Sequence, residues 1–218
     1  MRRVVVLRPE PGASETLARA RQFGLDAVSV PLFAIEPIAW NVPAGDFDGV
    51  LLTSANAVRE AGEKLAGVRG LPVYAVGQAT AAVAAAAGLR VVTIGDSGVD
   101  ALLGSIDPGL RLLHLCGEDR VKGTGRQSIM AAPIYRAVPL DSPDLGALPG
   151  SVVLVHSQRA GGRLADLAAD RSTIAIAAIS EAAADGAGAG WKQVAVADRP
   201  SDEALLALAA RLCNKTGA

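Results

Sequence analysis

The stretch Val50-Leu51-Leu52-Thr53-Ser54-Ala55-Asn56-Ala57-Val58-Arg59 decides the fold, because it changes abruptly from a buried strand to a helix. The apolar run ends in short hydroxyl and amide side chains, Thr53, Ser54 and Asn56. Such side chains accept hydrogen bonds from the free N–H groups at the start of a helix. The same N–H groups and the helix dipole favour a bound anion. The stretch is therefore a helix cap, an anion site, or both.

The pattern recurs at Val153-Leu154-Val155-His156-Ser157-Gln158-Arg159-Ala160, at an offset of 103 residues. The offset holds without a gap, so that Ser54 corresponds to Ser157 and Gly77 corresponds to Ser180. A constant offset across several secondary-structure elements indicates two duplicated lobes.

The lobes are α/β in type, since short apolar runs rich in β-branched residues alternate with helical segments. The copy at 46–136 is complete, whereas the copy that starts at 148 lacks its last strands, which the N-terminal residues supply. The sequence predicts two similar flavodoxin-like parallel-sheet lobes, one inserted in the other. Lobe one is 1–36 and 148–218, and lobe two is 46–136. The proline-rich segments 37–45 and 137–147 are predicted to be extended linkers that form a two-stranded β-ladder.

Charge and composition exclude several classes of function. The net charge is −1, so bulk charge favours neither nucleic acid nor a membrane surface as a partner. Cys116 and Cys213 lie far apart and form no metal-type pair, which indicates a reducing compartment. The apolar run Val4–Leu7 is too short for a signal peptide or a membrane span. We expect a cytoplasmic protein.

Residues 121–131 are too few for a full crossover helix before the strand-like segment 132–135. Crossovers between parallel strands usually need a dozen or more residues. The sequence therefore predicts a truncated α/β unit at this point.

Several segments, taken together and in order, resemble the uroporphyrinogen-III synthase family. They are Leu51-Leu52-Thr53-Ser54-Ala55-Asn56-Ala57-Val58, Tyr74-Ala75-Val76-Gly77-Gln78-Ala79-Thr80, Leu115-Cys116-Gly117-Glu118-Asp119, Pro133-Ile134-Tyr135-Arg136 and Ile179-Ser180-Glu181. The resemblance covers essentially the whole chain, and the family's two α/β lobes agree with the predicted architecture.

The resemblance implies that linear hydroxymethylbilane loses water and that the substituted carbon of ring D attacks the resulting azafulvene. The spiro intermediate formed in this way opens and recloses as uroporphyrinogen III. It implies no cofactor and no metal. It also implies a monomer that makes transient contact with hydroxymethylbilane synthase. The substrate carries acetate and propionate groups, for which hydrogen-bond donors at helix starts are suited.

The resemblance assigns a catalytic role in the loss of water to Tyr135. Ligands of parallel sheets bind outside the carboxyl ends of the strands, so the substrate-binding candidates lie at strand ends and in the motifs that follow them. They are Arg8, Thr53, Ser54, Asn56, Gly77, Thr80, Gly117, Ser157 and Ser180. We expect the strand ends of the two lobes to face each other across a cleft.

Structural alternatives stay open for these residues. Tyr135 could simply pack at the edge of a strand, and its copy Phe33 lacks the hydroxyl. Arg8 could be a solvated charge, and His114 and His156 are expected to be core or rim histidines. The rival function is a non-catalytic two-lobed receptor for an anionic small molecule. A degenerate paralogue is a third reading, suggested by Ala183, where relatives often carry Thr or Ser, and by the short 119–131 loop.

Overall fold

The computed structural model describes residues 2–120 and 123–214. Its strands are β1 Val4–Val6, β2 Ala27–Ser29, β3 Phe33–Pro37, β4 Gly49–Leu52, β5 Pro72–Val76, β6 Arg90–Gly95, β7 Arg111–Gly117, β8 Ser128–Pro139, β9 Val152–Val155, β10 Ala175–Ala178 and β11 Gln193–Val196. Its α-helices are α1 Gly12–Gln22, α2 Ala55–Glu60, α3 Gln78–Ala86, α4 Val99–Gly104, α5 Gln158–Leu167, α6 Glu181–Ala187 and α7 Asp202–Asn214. A 3₁₀ helix covers Gly62–Val68.

The strands form two sheets, and the predicted α/β class with parallel sheets is confirmed. A five-stranded sheet has the order β11-β10-β9-β1-β2, and a six-stranded sheet has the order β3-β8-β7-β4-β5-β6. The pairings β9–β1, β9–β10, β4–β7 and β4–β5 are all parallel. No helix within residues 2–120 and 123–214 is both long and apolar enough to cross a membrane.

The chain separates into two compact units. Unit 1 contains Met1–Ala34 and Pro139–Ala218, and unit 2 contains Ile35–Val138. The sheet order of unit 1 repeats in unit 2 as β6-β5-β4-β7-β8, with β3 added beside β8. The N-terminal strand β1 therefore occupies the place beside β9 that β7 occupies beside β4, which is the correspondence that the sequence repeat predicts.

Each unit has a core built from small and branched aliphatic side chains. In unit 1, Val4, Val6, Leu154 and Ala177 share one cluster with the apolar face of α7. In unit 2 the main cluster includes Trp40, whose indole N–H donates to the carbonyl of Ala61 at 3.1 Å. All residues of β4 and β9 are buried, as expected for central strands that are covered on both faces.

The extended pairing differs in position from the predicted ladder. The amide of Ile38 donates to the carbonyl of Ile134, and the amide of Leu140 donates to the carbonyl of Leu32. These partners run in opposite directions along the chain, so β3 and β8 are antiparallel. Paired residues thus begin at Phe33 rather than at 37, and residues 137–139 belong to β8 rather than to a linker.

The helix that begins after Ser54 is interrupted after 6 residues. The α-helical part ends at Glu60, and a 3₁₀ helix begins at Gly62. Gly62 has a φ of 60°, which lies in the left-handed region and cannot continue an α-helix.

The short connection before β8 agrees with the predicted truncation as far as the structure describes it. Residues 118–120 and 123–127 contain no helix, and Val121 and Lys122 lie outside the described residues. Strand β8 starts at Ser128 and extends the predicted strand by four residues toward the N-terminus.

Helices α5 and α6 pack so closely that glycines are needed on both of them, Gly161 on α5 and Gly186 on α6. A Cβ atom on Gly161 would lie 2.6 Å from the amide nitrogen of Ala187 and 2.8 Å from the carbonyl oxygen of Ala183. On the adjacent Gly162, the nearest atom to such a Cβ would be 3.8 Å away, which is an ordinary contact distance.

We expect Gly161→Ala to lower the free energy of unfolding by about 1–3 kcal/mol, because the added methyl group forces two backbones apart. Gly162→Ala is the matched control in the same helix. It should leave stability unchanged or raise it by up to about 1 kcal/mol, because alanine favours the helix. Urea denaturation of both variants checks this, and equal effects would contradict the packing argument.

Candidate active site at the strand ends of unit 2

The candidate site of unit 2 lies at the carboxyl ends of strands β4 and β7, beside the part of β8 that contains Tyr135. Strands β8, β7 and β4 are adjacent in the sheet. Leu52 at the end of β4 is in register with Leu115, and Gly117 at the end of β7 is in register with Tyr135. The parallel register therefore places Tyr135 of β8 beside the end of β7, at the same edge of the sheet as the residues that follow β4.

The ring of Tyr135 lies against Gly117. A Cβ atom on Gly117 would be 2.9 Å from Cζ of Tyr135 and 3.1 Å from its hydroxyl oxygen. The carbonyl of Tyr135 accepts a hydrogen bond from the amide of Glu118 at 2.9 Å. A side chain at position 117 would overlap the ring, so Gly117 leaves the space that the phenol occupies.

The side chain of Ser54 faces the phenol of Tyr135 and affects its pKa. Burial raises the pKa of Tyr135, and Ser54 opposes this only in part. The phenol is therefore neutral at physiological pH and can donate a proton. The sequence predicted both residues as site residues, and the structure brings them together.

Ser54 is also the N-cap of α2. Its extended backbone (φ −154°, ψ 138°) precedes the helix, and its Oγ accepts from the amide of Asn56 at 3.2 Å. The side-chain carbonyl oxygen of Asn56 accepts from Nη1 of Arg59 at 3.1 Å. One serine, Ser54, therefore both caps α2 and faces Tyr135.

Thr53 contacts a histidine that sequence reasoning had set aside as a core or rim residue. Its Oγ1 lies 3.0 Å from Nε2 of His114, which is only 3% exposed. Burial, helped by the positive charge of Arg120, lowers the pKa of His114 to about 4, so the imidazole is neutral. The strand register could have revealed the contact. His114 is paired with Leu51 on β4. Thr53 lies two residues after Leu51, and side chains two residues apart along a strand point to the same face of the sheet.

Gly77 and Thr80 lie at the junction of β5 and α3. Gly77 has a φ of 82°, which favours glycine, and its amide donates to the carbonyl of Gly95 at 2.8 Å. Thr80 is buried in the first turn of α3. The amide of Gly77 is thus already used within the sheet, and no described contact joins these two residues to Ser54 or Tyr135.

In unit 1 the predicted serines are N-caps. Oγ of Ser157 accepts from the amide of Ala160 at 3.2 Å, and Oγ of Ser180 accepts from the amide of Ala183 at 3.3 Å. Both serines have extended backbones at the ends of β9 and β10. They repeat the local geometry of Ser54, as the sequence offset predicts.

Arg8 belongs to a network around Asp202, which sequence reasoning missed. Its Nη1 lies 3.4 Å from Oγ1 of Thr16 and 3.9 Å from the Asp202 carboxylate. The carboxylate also accepts from Thr16 Oγ1 at 3.0 Å, from Nε of Arg19 at 2.7 Å and from Nε2 of His156 at 2.9 Å. The network joins the ends of β1 and β9 to α1 and α7.

Burial by itself would raise the pKa of Asp202, but the hydrogen bonds and charges of His156 and Arg19 outweigh it and lower the pKa. Burial lowers the pKa of His156, against the opposing effect of Asp202. The carboxylate is therefore ionised and the imidazole donates Nε2–H to it. Within residues 2–120 and 123–214, no three potential metal ligands cluster.

Comparison with known protein families identifies the family to which this chain belongs. The family model described as uroporphyrinogen-III synthase HemD matches residues 14–207. The chain belongs to the uroporphyrinogen-III synthase family. The resemblance found in the strand-end motifs is thereby confirmed, and Ser54, Gly117 and Tyr135 lie within the matched range.

Relatives of this family member are found among curated sequences. The uroporphyrinogen-III synthase of Chlorobaculum parvum is 34% identical over 90 residues, which is 37% of this chain and 37% of the relative. A relative from Archaeoglobus fulgidus is 39% identical over 79 residues, which is 36% of this chain and 33% of the relative. The chain thus spans little more than a third of the length of each.

A solved structure of the family has the same fold. The uroporphyrinogen-III synthetase of Helicobacter pylori superposes with a TM-score of 0.67 and 17% identity, covering 97% of this chain and 100% of that one. At this identity the likeness supports the fold alone.

The neutral state of His114 predicts a pH-dependent stability. The pKa of its imidazole is about 4 in the folded protein against 6.5 for the free side chain. Between these values the unfolded chain binds a proton that the folded chain does not, so stability falls as the pH falls. From about pH 7 to pH 4.5, wild type should lose about 2–3 kcal/mol more unfolding free energy than His114→Gln.

Urea denaturation across this range measures the difference. His156 is the one other histidine of the chain, and it is present in both proteins, so its own titration cancels. Parallel stability curves for wild type and His114→Gln would contradict the shifted pKa.

Proposed function

We propose that this chain is a uroporphyrinogen-III synthase, which converts hydroxymethylbilane to uroporphyrinogen III with loss of water and inversion of ring D. The observation that carries the proposal is the neutral phenol of Tyr135, which faces Ser54 and lies over Gly117 at the end of β7. Family membership supplies the reaction, and this phenol supplies a proton donor that the reaction needs. We further propose that the enzyme acts in the cytoplasm as a monomer, in transient contact with hydroxymethylbilane synthase.

The first step requires a proton for the departing hydroxyl group. In the proposed mechanism Tyr135 donates it, the C–O bond breaks, and the electrons of the ring A pyrrole form the azafulvene. The resulting water leaves the site. A general acid of this kind contributes about 10²- to 10⁴-fold to a rate. The phenol is protonated at physiological pH and therefore has a proton to give to the departing oxygen.

The next steps rearrange carbon–carbon bonds. The substituted carbon of ring D attacks the azafulvene and forms the spiro intermediate, whose bond between ring D and the bridging methylene of ring C then breaks. The new azafulvene closes on the other α carbon of ring D. Loss of the proton from that carbon restores the pyrrole and can reprotonate Tyr135, so that only water is released overall.

Substrate binding is assigned to the strand-end groups. In unit 2 we propose that Thr53, Ser54, Asn56, Gly77, Thr80 and Gly117 contact the substrate through side chains or neighbouring backbone amides. In unit 1 we propose the same role for Arg8, Ser157 and Ser180. Hydrogen bonds to carboxylates contribute about 1.5–3 kcal/mol each, so several of them suit a ligand with many acetate and propionate groups.

The direct test of the activity supplies hydroxymethylbilane generated in place by its synthase and separates the uroporphyrinogen isomers after oxidation. We expect the type III isomer in excess over the type I isomer that forms spontaneously. Type I isomer alone would refute the proposal, and binding of the bilane under those conditions would indicate a receptor.

Tyr135→Phe tests the role of the phenol. The variant should lower kcat by about 100-fold, whereas the affinity for uroporphyrinogen III should change little, because an acid acts on the reacting bond. Tyr74→Phe is the matched control, since Tyr74 is the chain's other tyrosine and lies in β5. Equal losses of turnover and product binding would argue against a chemical role.

A further inference from the structure

The fold does not require a histidine at the buried position 114. The two copies align so that Leu115 corresponds to Leu7, and His114 therefore corresponds to Val6 of β1. Val6 is fully buried in its sheet, so an aliphatic side chain fills this place in the other copy. Burying an imidazole has a cost that valine does not have, which indicates that the imidazole of His114 serves another purpose.

The one described partner of the His114 side chain is Thr53, at 3.0 Å from Nε2. Thr53 follows β4 and precedes Ser54, which faces the proposed acid Tyr135. The position that corresponds to Thr53 in unit 1 is His156, which contacts Asp202 instead. The threonine–histidine pair is thus specific to unit 2.

We propose that His114 is a positioning residue, which donates Nε2–H to Oγ1 of Thr53 and so directs the threonine hydroxyl proton to a substrate carboxylate. A hydroxyl has one proton and accepts through its lone pairs. With Oγ1 accepting from His114, the proton of Thr53 is left to donate to an anion. This inference deepens, and rests on, the proposed synthase function.

The low pKa of His114 agrees with this role, because a neutral imidazole keeps one ring N–H and one unprotonated nitrogen at physiological pH. A charged imidazolium beside the site would attract carboxylates by itself. A neutral one acts only through the hydroxyl that it orients. The effect should therefore appear in substrate binding and should depend on Thr53.

The test is a double-mutant cycle of His114→Leu and Thr53→Val. We expect each variant to raise KM about tenfold with kcat changed less than about threefold, because one charge-assisted hydrogen bond is lost. The double variant should bind no more weakly than Thr53→Val alone. His114→Gln places an amide N–H near the same point and should restore KM to within about threefold of wild type.

Thr93→Val is the matched control, because it replaces a threonine of unit 2 that lies in β6 and not in the proposed site. The KM of this variant should equal that of wild type. Additive losses in the double variant, a fall in kcat alone, or no rescue by His114→Gln would overturn the inference. If wild type itself yields only the type I isomer, the proposed function fails. If wild type yields type III and the cycle shows no coupling, only this inference fails.

A spectroscopic measurement keeps the inference testable where His114→Leu does not fold. Nitrogen-15 labelling of the two histidines gives two imidazole spin systems, and His114→Gln assigns them by the loss of one. We expect His114 to be protonated at Nε2, the nitrogen that faces Thr53. Protonation at Nδ1 alone would make Nε2 an acceptor of the threonine proton and would overturn the inference.

Discussion

Burial of the central strands on both faces is the constraint on which the rest of the structure depends. Strands β4 and β9 are covered along their whole length, so polar side chains within them would lose water without gaining partners. The polar side chains therefore lie beyond the carboxyl ends of these strands, where the chain enters a helix. At these ends Ser54 and Ser157 fulfil one shared task, the capping of the helix that follows.

The sequence predicts the parts of the structure that follow from local residue patterns and from the internal repeat. The α/β class, the correspondence of β1 with β7 and the serine caps all follow from apolar runs, from an offset of 103 residues and from capping chemistry. The antiparallel pairing of β3 with β8 was misplaced, because the register of strands far apart in the chain is set by side-chain packing rather than by local pattern. The burial of His114 agrees with the prediction, but its contact with Thr53 was not predicted, because the two residues belong to neighbouring strands that are far apart in the chain.

The two copies share one sheet topology but carry different polar groups at corresponding positions. In unit 1 Arg8, which follows β1, and Arg19 of α1 both pair with Asp202 at the start of α7, and His156 and Thr16 complete the network. A buried carboxylate with this many donors holds helices to strands, and loss of its partners would leave an uncompensated charge. Unit 2 has no such carboxylate at the corresponding place, where Val99 stands in the position of Asp202.

The difference between the copies also accounts for the location of the proton donor. Tyr135 corresponds to Phe33, and Gly117 corresponds to Pro9, so both the hydroxyl and the space for it exist in unit 2 alone. The ring lies over a glycine, and the hydroxyl faces Ser54 and stays neutral because burial raises its pKa. A phenol in water would be equally neutral at physiological pH, but it would have no fixed direction. What the fold adds is position, because the end of β7, the cap of α2 and the edge of β8 together determine where the proton points.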